Sequence, residues 1–122
     1  SAKDWPKDVE NELGEFRDFL QTHKPQLLFS FGAFSFEFAR RALKQQPPRS
    51  YSYWGARNMG AEFRERISAF DLAAINLFPL LHVSIARGKY IQSHNYFCDQ
   101  DDANYFEFVG NSIADVLVKV DE

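Results

Sequence analysis

Little in this chain could brace it covalently or hold it in a membrane. It has one cysteine, Cys98, in 122 residues, so no disulfide can form within it. That usage fits a reducing compartment, and a cytoplasmic location is expected. No apolar run approaches the roughly 20 residues a membrane-spanning helix needs, so no membrane partner is expected. The first residues, Ser1-Ala-Lys-Asp-Trp-Pro, lack the basic and apolar regions of a signal peptide. Internal repeats and low-complexity stretches are missing. Gly32, Gly55, Gly60, Gly88 and Gly110 stand isolated, so no glycine loop could cradle a phosphate.

What is present is a single domain's worth of ordinary globular sequence, expected to fold as one α/β unit over 1–122. With 45% hydrophobic and 25% charged residues it can bury a core. Phenylalanine is over-supplied, with 13 copies, which points to an aromatic core or a surface that meets a partner. The net charge of −3 is unevenly spread: residues 1–25 sum to −2, residues 26–97 to +5 and residues 98–122 to −6. A basic middle segment could meet phosphates, and ordinary solvated helix surfaces give the same count.

Spacing along the chain sets the expected elements. Val9, Leu13, Phe16 and Leu20 step by 4, 3 and 4 and predict a helix over 8–23, stopped at Lys24-Pro25. Gln26 to Phe31 reads as a buried strand closed by Gly32. Ala33 to Leu43 reads as a helix, since its Ala-Arg-Arg-Ala-Leu ending has high helix propensity. Tyr51 to Trp54 reads as an aromatic loop or a short edge piece. Ala56 to Phe70 forms a second amphipathic helix, with Met59, Phe63, Ile67 and Phe70 on one side. Ala74 to Leu81 reads as a second strand, and Pro79 near its end is tolerated there. A short polar loop follows His82, then a polar, aromatic stretch from Tyr90 to Cys98. Asp101-Asp102 open a last helix, acidic at its positive end. Its stripe is Phe106, Val109, Ile113, Val116, Leu117 and Val120.

Strands separated by helices imply a short parallel sheet flanked by helices, an α/β/α arrangement with right-handed crossovers. Two strands make a thin sheet. The chain is therefore expected to be part of a larger domain or to complete its sheet as a homo-oligomer.

The candidate site follows from the sheet. Ligands of open α/β sheets bind outside the carboxyl ends of the strands. The apolar run 73–81 ends there at His82, whose ring can donate one hydrogen bond and accept another. His82 could equally be a satisfied strand-end histidine, Ser84 a helix cap, and Tyr51, Tyr53 and Trp54 a cover over the core rather than a stacking platform. His82, His94 and Cys98 match no common zinc spacing, so neither a metal nor another cofactor is expected. Cys98 as a nucleophile, with His94 four residues earlier, is a further reading of the same residues.

Three segments carry a family likeness: Lys24-Pro-Gln-Leu-Leu-Phe-Ser-Phe-Gly-Ala33, then Leu81-His82-Val-Ser84, then Arg87-Gly-Lys-Tyr90 followed by His94, Phe97 and Asn104. Over roughly 15–120 the chain resembles the C-terminal half of the uracil-DNA glycosylase superfamily, with its Lys-Pro strand ending in Gly, its His-Pro-Ser and its Arg-Gly-aromatic step. The resemblance implies a base-flipping DNA repair hydrolase acting on single- or double-stranded DNA. It implies that His82 stabilises charge on the leaving base. Ser84 would contact a phosphate, Ile85 would act as an apolar wedge, and Arg87 and Lys89 would hold the backbone. Gly32 would belong to the same substrate surface. Val83 stands where the family has proline. The family's Gly-Gln-Asp-Pro-Tyr segment, source of the water-activating acid, has no counterpart among these residues. Asp4, Asp8, Asp18, Asp71, Asp99, Asp101 and Asp102 all fall away from a strand's carboxyl end. The chain alone is therefore expected to be inactive in N-glycosidic hydrolysis. Two other expectations stand beside this one: a non-enzymatic, self-associating α/β domain, and a binder of a free nucleobase, nucleotide or other small ligand.

Overall fold

A computed structural model of the chain describes residues 4–87, 90–101 and 104–121. The expected helix, strand, helix order is present. Helix α1 spans Lys7–His23, strand β1 Leu27–Phe31 and helix α2 Ala33–Ala42; a 3-10 turn covers Tyr51–Tyr53 and helix α3 covers Ala56–Ser68. Strand β2 spans Asn76–Leu80, and helices α4 (Val83–Ala86), α5 (Ile91–Cys98) and α6 (Tyr105–Asp121) complete the order. The α/β class is therefore present as a two-stranded parallel sheet among helices.

Local chemistry explains the boundaries. Lys24 closes α1 in the left-handed conformation, with its N–H bonded to the Leu20 carbonyl, and Pro25 prevents continuation. Gly32 ends β1 at φ 89° and ψ 172° and starts α2 at once. Ahead of β2, the Asn76 amide donates to the carbonyls of Gln26, Asp71 and Ala74, and its Oδ1 accepts the Asp71 N–H. One side chain thus ties the incoming turn to the start of both strands.

The register pairs Leu27 with Asn76, Phe29 with Phe78 and Phe31 with Leu80. The Asn76 N–H donates to the Gln26 carbonyl and the Gly32 N–H to the Leu80 carbonyl. In a parallel strand both main-chain groups of a residue point to the same side. Leu28 and Ser30 therefore bond inward to β2, while Leu27, Phe29 and Phe31 turn theirs to the outer edge of β1. The outer edge of β2 belongs to Leu77, Pro79 and Leu81. It is partly filled: Arg66 donates to the Leu77 carbonyl, proline offers no N–H, and the Leu81 N–H donates to the Tyr105 hydroxyl at 3.0 Å.

The phenylalanine surplus builds the core. Phe63 of α3 meets Phe78 of β2, Phe97 of α5 and Phe108 of α6 at centroid distances of 6.3, 5.3 and 5.9 Å. Phe36, Phe63, Phe78 and Phe97 are fully buried, and each such side chain contributes about 1.5–3 kcal/mol by leaving water. A second, smaller cluster of Leu13, Leu20 and Ala42 joins α1 to α2. Helices α3 and α5 approach so closely that a Cβ on Gly60 would lie 2.4 Å from the Phe97 Cα.

Four local expectations differ from what is seen. The polar stretch after Tyr90 is a helix, because its buried side, His94, Phe97 and Cys98, seats on α3. The loop after His82 winds into the short α4. The strand starts at Asn76 rather than Ala74, where the Asn76 hydrogen bonds end the turn. The last helix begins at Tyr105, with the Asn104 side chain accepting the Glu107 N–H, rather than at the aspartate pair. Asp102 lies outside the described residues.

A buried carboxylate anchors the 46–54 segment. Glu37 of α2 accepts from Arg40 Nη1 (2.6 Å), Arg41 Nε (2.8 Å), Trp54 Nε1 (2.9 Å) and the Arg49 N–H (3.0 Å). Trp54 is consequently core, while Tyr51 and Tyr53 remain exposed.

Candidate functional site at the carboxyl ends of the strands

The two strands end side by side, and Gly32 just after β1 meets His82 two residues beyond β2. A Cβ built on Gly32 would sit 3.3 Å from the His82 Cβ and 3.4 Å from its Cδ2. Gly32 thus lets the imidazole lie across the end of β1. His82 then caps α4: its Nδ1 accepts the Ser84 main-chain N–H at 3.1 Å and lies 2.8 Å from the Ser84 hydroxyl. A ring nitrogen that accepts a main-chain N–H carries no proton. The neutral ring therefore holds its hydrogen on Nε2, which has no partner among the described residues. The exposed His82 is left as a donor whose orientation is fixed from behind.

Beside this pair is an apolar cavity of about 370 Å³ at the carboxyl edge of the sheet. Phe31 and Leu80 of the strands form one side, Val83 and Ala86 of α4 another, and Tyr105, Phe106, Val109 and Gly110 of α6 the third. Arg87, exposed at the C-terminal end of α4, supplies the single charge in its lining among the described residues. A Cβ on Gly110 would meet nothing within 4 Å, so this glycine leaves room in the wall.

The wall is held rigidly. Burial pushes the Tyr105 phenol up to about 12; the Leu81 N–H pulls the other way and nearby Cys98 adds to the rise. The hydroxyl thus stays neutral while it holds the end of β2. His94, buried on α5, donates from Nε2 to the Ile85 carbonyl at 3.2 Å and stacks on Tyr105 at 5.4 Å. That bond fixes the C-terminal half of α4.

The sequence-derived residues are therefore distributed as follows. Gly32, His82 and Ser84 form one contact group at the strand ends. Ile85 is half-buried and packs on the core, whereas its neighbour Val83 presents the exposed apolar surface of α4. Arg87 stands at the far end of α4, on the cavity. Lys89 lies outside the described residues. Sequence reasoning overlooked Tyr105, Phe106, Val109 and Gly110 as walls: Phe106 and Val109 read only as part of a helix stripe, and Tyr105 was not singled out. Gly110 was the available signal, an isolated glycine inside a helical pattern.

No carboxylate lines this cavity among the described residues. Asp71 precedes β2, at the opposite end of the strand, and its Oδ1 accepts the Ala73 N–H. Burial raises the Glu37 carboxyl, but its bonds from Arg41, Trp54, Arg49 and Arg40 outweigh this and hold it below its ordinary value, so it is a fixed anion. The Cys98 thiol is buried, and burial pushes its pKa up despite Arg64, the reverse of what a nucleophile needs. Among the described residues no three His, Cys, Asp or Glu side chains gather as a metal site. No helix is long and apolar enough to cross a membrane among the described residues. Among the described residues the site offers a donor, an apolar slot and a cation.

No protein-family model, curated protein or solved structure matches this chain.

Proposed function

We propose that the strand ends of this chain recognise a planar nucleobase in the manner of the uracil-DNA glycosylase superfamily, and that this chain binds without cleaving. The observation that carries the reading is the exposed His82 imidazole, held at Nδ1 by Ser84 beside Gly32, with Nε2 unpartnered among the described residues. A donor of that kind suits a carbonyl oxygen on the base. The neighbouring apolar cavity suits a flat ring, and Arg87 at its edge suits a phosphate, a contact that weakens steeply with salt.

Binding is tested by titrating isotope-labelled protein with single-stranded DNA containing uracil and following amide resonances. Gly32, Val83 and Ser84 should shift, and His82→Ala should abolish the response. Shifts that vanish at high salt indicate a polynucleotide. Shifts that persist with free uracil at high salt indicate a nucleobase alone. No movement at these residues refutes the reading. Excision assayed on the same DNA should be undetectable, and measurable base release would overturn the binding-only role.

A further inference from the structure

We infer that two copies of this chain pair through the outer edge of β1 to make one continuous four-stranded sheet. The edge is available in hydrogen-bonding terms: Leu27, Phe29 and Phe31 point their main-chain groups away from β2. A groove of about 400 Å³ runs beside it, walled by Phe16 of α1 and by Phe34 and Phe38 of α2. Phe31 and Phe34 are 50% and 45% exposed there. An unpaired apolar strand edge is a template for another strand.

Two observations select a second copy as the occupant and fix its register. First, Ser30 lines this groove and is 94% buried, and its hydroxyl has no hydrogen-bond partner. An antiparallel pairing with its two-fold axis at Ser30 sets Ser30 opposite Ser30 of the second copy. Such a non-hydrogen-bonded pair has Cα atoms about 4.5 Å apart, within reach for one hydroxyl to donate to the other. The alternative centre at Phe29 would leave each Ser30 opposite a leucine and still unpartnered. The Ser30 register also sets Phe29 opposite Phe31 of the second copy in hydrogen-bonded pairs, where aromatic rings favour each other.

Second, the charges complement one another. The exposed Lys24 stands just before β1, whereas the exposed Glu12 lines the groove with Phe31 and Phe34. The antiparallel operator carries the basic end of each copy toward the acidic groove of the other. Isologous contact of this kind is the usual form of a homodimer.

Sedimentation velocity over a micromolar concentration series tests the pairing, with Phe31→Lys as the disrupting variant. Phe31 is half exposed, so a lysine there should leave the chain folded, with a cooperative melt, while placing like charges close to the axis. The expected result is a dimer for the native chain and a monomer for Phe31→Lys. Should that variant fail to fold, amide exchange of the native chain decides: Phe29 and Phe31 should exchange about tenfold or more slowly at high than at low concentration. Ser30→Cys should form a covalent dimer on mild oxidation, because cross-strand pairs at this spacing meet disulfide geometry. A native chain that stays monomeric, a dimer indifferent to Phe31→Lys, or a Ser30→Cys chain that does not cross-link each overturns the inference.

Discussion

A side chain at Gly32 would put its Cβ 3.3 Å from that of His82, so the end of one strand is shaped by the imidazole that closes the other. The backbone of Gly32, at φ 89° and ψ 172°, lies in a region that is essentially glycine-only. Gly32→Ala is therefore expected to lose about 1–3 kcal/mol of stability and to displace the His82 ring. Urea denaturation measures the first effect, and His82 ring resonances report the second. A full-stability variant with an unmoved ring would show that the contact is slack.

Glu37→Gln is expected to be among the most damaging single changes. It keeps the shape but removes the buried carboxylate that pairs with both Arg40, 4% exposed, and Arg41, 11% exposed. Breaking a buried pair in this way costs about 3–5 kcal/mol. The pH dependence has a definite sign. The folded carboxyl is held below its ordinary 4.5, so its contribution is complete above that value and is lost as pH falls through the folded value. Acid titration of the native chain and of Glu37→Gln should show this sensitivity only in the native chain.

Tyr105→Phe removes the acceptor of the Leu81 N–H and keeps the ring. A buried donor left unmade costs about 1–3 kcal/mol. In alkali the native Tyr105 is raised from 10.0 to about 12. The stability tied to this neutral phenol is present below pH 10.0 and declines as pH rises toward about 12. Ultraviolet titration of phenolate absorbance should show one late-ionising tyrosine in native protein, and its disappearance in Tyr105→Phe identifies it.

Cys98 should resist thiol reagents while the chain is folded. It is 2% exposed and its pKa is raised by burial, so both access and thiolate are scarce. Reaction with a chromogenic disulfide should wait for denaturant. Rapid labelling of the native protein would show that α5 opens readily from α3.

Much of the scaffold was legible in the chain because its signals are local. The 4-3-4 stripe of α1, Gly32 after an apolar run, and the stop at His82 each act within a few residues. What escaped notice depends on contacts between distant segments. Glu37, flanked by Phe36 and Phe38, looks like a solvated helix position until Trp54 and Arg49 arrive from a loop more than ten residues away. Helix α5 has a weak stripe of its own. It forms a buried face because Gly60 lets the Phe97 backbone settle on α3 and because His94 finds the Ile85 carbonyl. At the candidate site, Gly32, His82 and Ser84 could be picked out as strand punctuation. The wall from α6 could not, since nothing in its periodicity says which strand end it will cover.

Pro79 on the far side of β2 has a consequence for how this protein behaves when crowded. Together with Arg66 and Tyr105 it leaves that margin without a row of open donors and acceptors. A dimer joined along β1, as inferred above, would therefore offer a third chain little to extend. In the inferred dimer the apolar border would be used up by pairing, and the partly filled opposite border would disfavour cross-β growth.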